Sequence, residues 1–395
     1  MSITPGLKRF FIFDILALLV GGIILYQRPL PPVSAVNTLK PPAAEPGLNL
    51  PWPDYGQSAY GAAGYGVLVS HNPQNPAPMA SVTKAFTALA VLKQKPLAAG
   101  QQGPLITITD EDVAIYNNYY SQGGSVVKVT VGEQISQYQA FQALLLPSSN
   151  NMADTLARWA FGSVSSYLDF ANKMAKSLGL SNTHLADASG LSPDSVSSAS
   201  DLVLLGQAVL SNSLISQVVS QDQANIPVAG TIQNTNWLLG SDGIVGIKTG
   251  QTEQAGGVFL FAAKRSVQNN PVTVIGAIMG ALDLNKAISD ARTLVRAGDS
   301  GFSAVAFAKA NQTVGYYQAP WGAKSSIVPK KDLSILSWKG APTGIKINSA
   351  PLEGPAAKDS VIGSLDASAG QQKTSTQLVL AQNLPGPSWT WRIFR

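Results

Sequence analysis

Apolar positions fall into three regimes along this chain. Residues 10–26, from Phe10 to Tyr26, form a near-continuous apolar run broken only by Asp14 and two glycines. At 17 residues the run sits at the short end of a bilayer span. Lys8 and Arg9 precede it, so an anchored chain would keep residues 1–9 as a cytoplasmic tail and hold the remainder outside. The alternative is a cleaved signal, with small residues at Val33-Ser34-Ala35, giving a secreted protein. Residues 27–53 follow, with prolines at 29, 31, 32, 41, 42, 46, 51 and 53. This composition predicts an extended, semi-stiff spacer of ~3.1 Å per residue.

The second regime, residues 54–300, alternates between the two structural periods. Gly64–Ser70 alternates as a strand does. Ser81–Gln94 reads as a helix ended by Lys95-Pro96, and Gln137–Leu146 as one stopped by Pro147. Tyr167, Phe170, Ala171, Met174 and Leu178 share one helical face, with Gly179 as a stop. Ile244–Lys248, Val258–Ala263 and Pro271–Met279 read as strands. Leu284, Ala287, Ile288, Ala291, Leu294 and Val295 then mark an amphipathic helix. The expectation is an α/β (α+β) layered domain with its sheet strands late in the segment. Asn117-Asn118-Tyr119-Tyr120 reads as a plain surface turn rather than a binding loop.

In the third regime, residues 301–395, short Val-, Ile- and Tyr-rich runs alternate with Pro, Gly and Lys-Lys turns, and no helical period is visible. A small all-β domain is expected.

Composition narrows the chemistry. With 395 residues and 45% hydrophobic content, the chain can bury a large core. It has no cysteine, which removes disulfides and thiolate catalysis. It has two histidines, His71 and His184, too few for an ordinary zinc site. Neither has a recognisable setting for a Ser-His-Asp triad, which leaves lysine as the candidate base. No cofactor or metal is implied. The net charge of +5 is spread thinly, with 12% charged residues, and suits mild attraction to anionic membrane or wall polymers rather than nucleic acid.

Three motifs occur in order: Ser81-Val82-Thr83-Lys84, Ser148-Ser149-Asn150 and Lys248-Thr249-Gly250. Each alone is weak. Ser81 with Lys84 could be an N-cap beside a solvated lysine. Ser148-Ser149-Asn150 could cap the helix starting near Asn151, and Ser149-Asn150-Asn151 is a rival register. Lys248-Thr249-Gly250 could be an edge-strand lysine before a turn. Read together they supply a nucleophile, a base three residues on along one helical face, a second hydroxyl and a cationic strand. A lysine acts as base only when burial or nearby cations lower its pKa. Lys248 and Thr249 suit a substrate carboxylate, and Gly250 lets a backbone approach the strand.

This ordered set is the one shared by penicillin-binding proteins and class A β-lactamases. Leu144-Leu145-Leu146-Pro147-Ser148-Ser149-Asn150-Asn151, Leu178-Gly179-Leu180-Ser181-Asn182-Thr183-His184 and Asp242–Gly250 carry the likeness further. Over roughly residues 55–300 the chain resembles the low-molecular-mass penicillin-binding proteins of the D-alanyl-D-alanine carboxypeptidase family. The resemblance implies the following roles. Ser81 would attack the D-Ala-D-Ala bond of a peptidoglycan stem peptide, with Lys84 as base. Ser148 would relay a proton to the leaving group, and Asn150 would hydrogen-bond Lys84 and the substrate. The oxyanion would lie between the backbone N–H groups of Ser81 and Gln251, the latter's side chain being weakly constrained. β-Lactams would inhibit. Relatives often end in an amphipathic anchor helix, whereas Pro385–Arg395 is too short and Pro-broken for one, and the 10–26 span would replace it.

The rival readings are a D,D-endopeptidase using the same site, a β-lactamase, and a non-catalytic wall-binding protein. The deacylating glutamate of class A β-lactamases has no counterpart, because no glutamate lies between Glu133 and Glu253. The intact motifs argue against the non-catalytic reading.

Overall fold

The computed structural model describes residues 5–395, with side chains described from residue 12 onward. Residues 1–4 of the expected cytoplasmic tail, and the side chains of Lys8 and Arg9, lie outside the described residues. The helices are α1 (Pro5–Gln27), α2 (Thr83–Gln94), α3 (Asp110–Ser121), α4 (Gln137–Leu145), α5 (Asn150–Phe161), α6 (Val164–Ser177), α7 (Ala199–Ser211), α8 (Ser213–Val219), α9 (Leu284–Gly298) and α10 (Trp389–Phe394). The chain forms two compact units. One comprises Leu48–Phe302, and the other combines Met1–Gly47 with Ser303–Arg395.

The Leu48–Phe302 unit is built on a five-stranded antiparallel sheet. Its spatial order is Ile244–Thr252, Gly256–Val267, Asn270–Ala281, Gln57–Ala62, Gly66–His71. All three strands expected late in this segment are present, each longer than its apolar run. Alternation assigns the two faces. Leu260, Ala262, Ile275 and Ala277 join the core formed with the helical layer. The face carrying Tyr60 and Phe261 takes α9, where Gly298 is required: a Cβ there would lie 2.0 Å from Tyr60 Oη. Of the expected α9 stripe, Ala287, Ile288, Ala291, Leu294 and Val295 are buried and Leu284 is partly buried. In the helical layer, α2 is buried from Thr83 to Leu92, so this helix is central rather than amphipathic. α4 starts on a capping box, Ser136 with Gln139, as α3 does with Thr109 and Asp112. Residues 117–120 therefore lie in α3, not in a surface turn.

The other unit is mainly β. Six antiparallel strands run in the order Ala35–Asn37, Gly315–Gln318, Lys324–Pro329, Gln372–Leu380, Val361–Ala369, Thr343–Ser349. Phe302–Ala308 pairs separately with Leu333–Trp338. Val33, Tyr317, Ile327, Leu365, Leu378 and Leu380 fill the core. The proline-rich stretch does not stand free as a spacer. Ala35–Asn37 adds an edge strand against Gly315–Tyr317, Val33 bridges to Leu352, and Thr343 Oγ1 donates to the Pro42 carbonyl. Prolines flanking an edge are compatible with this, since one side of an edge strand needs no ladder donors.

α10 departs from the all-β expectation for 301–395. Ser388 caps it, and Arg392 and Arg395 donate to the carbonyls of Tyr26, Arg28 and Pro29 at the end of α1. Among the described residues no single helix is long and apolar enough to cross a membrane; the apolar part of α1 described is Ile12–Gln27.

Candidate active site

The segment leading to Ser81 is pinned before it turns. Ala77–Pro78 pairs with Val196–Ser197, and Met79 N donates to the Ser195 carbonyl. Ala80 then takes φ +47°, a conformation that costs an L-residue roughly 1–3 kcal/mol. A 3-10 turn, Ala80–Val82, delivers Ser81 to the start of α2. Three residues on, Lys84 points the same way: its Nζ lies 2.8 Å from Ser81 Oγ. Its other partner is the Ser189 carbonyl at 2.7 Å. Lys84 is fully buried, and burial pulls its pKa down to about 7, against the opposing pull of Asp187 and Asp154. The reading of a solvated lysine beside a capping serine is thereby excluded.

Ser148, between α4 and α5, has φ +65° and a buried Oγ without a hydrogen-bond partner among the described residues. Ser149 Oγ donates to the Ala143 carbonyl, and Asn151 pairs through both side-chain atoms with the backbone of Val127. Ser149 and Asn151 are therefore held by structural hydrogen bonds. Asn150 is buried at the first turn of α5, its backbone N donating to the Ser125 carbonyl. The expected Asn150–Lys84 hydrogen bond is not formed; the Ser189 carbonyl takes that place.

Lys248 is buried on the Ile244–Thr252 strand, and its Nζ donates to the Thr249 carbonyl at 3.0 Å. Burial first and Lys84 second hold its pKa well below the usual lysine value. Thr249 Oγ1 shares a 2.6 Å hydrogen bond with Thr235 Oγ1, and Thr235 N donates to the Leu146 carbonyl, which ties this strand to the Ser148 loop. Gly250 answers to the protein before any substrate: a Cβ there would sit 2.9 Å from Ser81 N and 3.0 Å from Ala80 Cβ. Gln251 is more constrained than expected, since its Oε1 accepts from Leu284 N at the start of α9. The first and third motifs meet directly, since Ser81 bonds Lys84, Gly250 abuts Ser81 and the two lysines interact, while the Ser148 loop is joined to the third motif through Thr235. Neither histidine joins them. His71 stacks on Trp52 at 5.6 Å, and His184 bridges to Val196.

A model of the D-alanyl-D-alanine carboxypeptidase family matches residues 62–282, more than half of the chain. The chain belongs to the D-alanyl-D-alanine carboxypeptidase family. Within the curated members of this family it is 26% identical over 330 residues to D-alanyl-D-alanine carboxypeptidase DacA of Escherichia coli K12, covering 81% of this chain and 80% of that protein. It is also 29% identical over 243 residues to a D-alanyl-D-alanine endopeptidase of Pseudomonas aeruginosa, covering 60% of this chain and 74% of that one. Among solved structures it resembles the Streptomyces K15 DD-transpeptidase, with TM-score 0.56 and 26% identity over 67% of this chain and 100% of that one. It shares the fold of penicillin binding protein 5 from Haemophilus influenzae, with TM-score 0.59 and 20% identity over 88% of this chain and 100% of that one.

Four residues of this carboxypeptidase-family site carried no motif. Ser189 acts through its backbone carbonyl, which no side-chain pattern reveals. Asp187 accepts hydrogen bonds from the turn that presents it; Asp-x-Ser-Gly is a turn signal, but its partner was not legible. Asp154, on α5, accepts from Tyr119 Oη of α3 at 2.9 Å. Burial raises the Asp154 carboxyl to about 6, and burial together with Asp154 pushes the Tyr119 hydroxyl up.

Proposed function

We propose that this chain is a serine-type D-alanyl-D-alanine carboxypeptidase that removes the terminal D-Ala from peptidoglycan stem peptides through an ester on Ser81. The observation that carries the mechanism is the buried, depressed Lys84 amine 2.8 Å from Ser81 Oγ. As the free amine, Lys84 accepts the Ser81 proton while Oγ bonds to the carbonyl carbon of the penultimate D-Ala. Lys248 and Thr249 receive the terminal carboxylate, whose charge holds the proton on Lys248. Ser148, with its unpartnered hydroxyl, relays the proton held on Lys84 to the leaving amine, which returns Lys84 to the free amine, and Asn150 contacts the peptide backbone. The N–H groups of Ser81 and Gln251 stabilise the oxyanion, each worth about 10²–10³ in turnover. The C–N bond breaks and D-Ala departs. Water then cleaves the ester, giving the shortened peptide's carboxylate and restoring Ser81.

A β-lactam acylates the same Ser81 and leaves slowly, because no glutamate between Glu133 and Glu253 is available to activate water. Cross-link cleavage is the second reading, favoured by the likeness to the Pseudomonas endopeptidase. In either reading residues 54–300 are the D,D-peptidase domain and 301–395 the β domain. Residues 10–26 anchor it at the membrane with both domains outside. Support for the anchor is the all-round apolar surface of α1, where Phe13 and Leu18 are 74% and 77% exposed.

The test is D-alanine release from a peptide ending in D-Ala-D-Ala, by the full chain and its Ser81→Ala variant. Release by the first alone is the expected result. Release by both removes Ser81 as nucleophile, and release by neither, with cleavage of cross-linked dimers, favours the endopeptidase.

A further inference from the structure

Lys84 has to do more than lose a proton. A free amine has two hydrogens and one lone pair, and it works as a base only when the lone pair faces Ser81. The Ser189 carbonyl, 2.7 Å from Nζ, takes one hydrogen and so sets the rotation of the amine. The geometry of that carbonyl is therefore part of the site, and it depends on the turn that carries it.

That turn is organised by a single carboxylate. Asp187 accepts from Ser189 Oγ at 2.7 Å, Leu191 N at 2.8 Å, Gly190 N at 3.0 Å, Ser192 N at 3.4 Å and Ser195 Oγ at 2.5 Å. Ser195 Oγ in turn accepts from the N–H groups of Ala186 and Asp187. The turn is wedged against the nucleophile's own segment. Gly190 has φ +79°, and a Cβ there would lie 1.9 Å from the Ala80 carbonyl oxygen. Two successive carbonyls are then captured one turn of α2 apart: Ala188 by Thr87 Oγ1 at 2.7 Å, and Ser189 by Lys84.

We propose that Asp187 is a positioning residue for acyl transfer, holding the Ser189 carbonyl on Lys84 so that the amine lone pair faces Ser81. The proposal rests on the assignment of Ser81 as nucleophile and Lys84 as base. Asp187 touches neither Ser81 nor Lys84 directly and acts through two residues of backbone. Its charge has a second effect. The ionisable groups around Lys84 are Asp187 on the turn, Asp154 on α5, Tyr119 on α3, Tyr167 on α6 and Lys248 on the sheet. Asp187 and Asp154 favour the ammonium form of Lys84, whereas burial opposes it. Removing the Asp187 charge therefore moves the acid limb of activity to lower pH even as the rate falls.

The experiment measures penicillin acylation rates from pH 5 to 9, kcat and KM for D-alanine release, and melting temperature. It uses the full chain and its Ser81→Ala, Asp187→Asn and Asp187→Glu variants. Asp187→Asn is expected to acylate about 10–100-fold more slowly, in line with the roughly 10²-fold that a 1 Å misplacement of a reacting group can cost. KM should stay close to the parent value, and the acid limb should move down. Asp187→Glu keeps the charge but displaces it, so the rate should fall with the limb in place; it decides the matter if the Asn variant does not fold. Wild-type rates in both variants, or losses that only track the unfolded fraction, overturn the proposal while Ser81→Ala remains unlabelled. Labelling of Ser81→Ala by penicillin removes the nucleophile assignment, and this proposal with it.

Discussion

Lys84 and Lys248 are two buried lysine side chains in one site, and charging both would cost stability. Lys84 needs to be neutral to take a proton, so activity should fall as pH drops through its pKa. The acid limb of kcat/KM is expected near pH 7, falling about tenfold per unit below it. An acid limb near pH 4 would instead point to a carboxylate base. Lys84→Arg, protonated at every accessible pH, should lose at least about 10²-fold in acylation. The motif residues were legible because each carries its chemistry in a side chain. Ser189 was not, because every residue has a carbonyl and only the fold says which one meets Lys84. Gln251 was misjudged for a related reason: its amide bonds a helix N–H that lies 33 residues further along the chain.

The elements that build the site are close-packed where they meet. Gly250 on its strand and Gly190 on its turn both press on the Ala80–Ser81 backbone. Gly250→Ala should push the strand away from Ser81. The expected outcome is at least a tenfold loss of acylation with a drop in melting temperature, both read on the purified variant. Wild-type acylation would mean that the strand has room to move. α9 was readable from period because it buries a regular stripe, and the late strands from their short continuous apolar runs, since both of their faces are buried. α3 was not, since its exposed, polar surface leaves almost no apolar period; its capping box, Thr109 to Asp112, was the usable signal. Local pattern likewise assigned Ser81–Gln94 as a helix but not its central place, which comes from the helices packed around it.

The β unit takes its strands from both ends of the chain, with the 48–302 unit inserted between them. Val33 is buried in its core and Ala35–Asn37 forms its edge. Truncation to residue 48 should therefore lower the melting transition of this unit by roughly 5–15 °C, as expected for a loss of ~2 kcal/mol, and expose an unpaired edge on Gly315–Gln318. Calorimetry of the full and truncated chains checks this, and an unchanged transition would make the edge strand dispensable. This pairing was invisible in the sequence, where the prolines dominate the composition and the partner strand is some 280 residues away. That distance is also an interval of time. At synthesis rates of about 5–20 residues per second, Ala35–Asn37 emerges roughly 15–60 s before its partner exists. For that interval the peptidase unit can complete itself while the first strand of the other unit waits unpaired. The edge closes only after the inserted unit has been made, so the order of assembly is written into the connectivity of the chain.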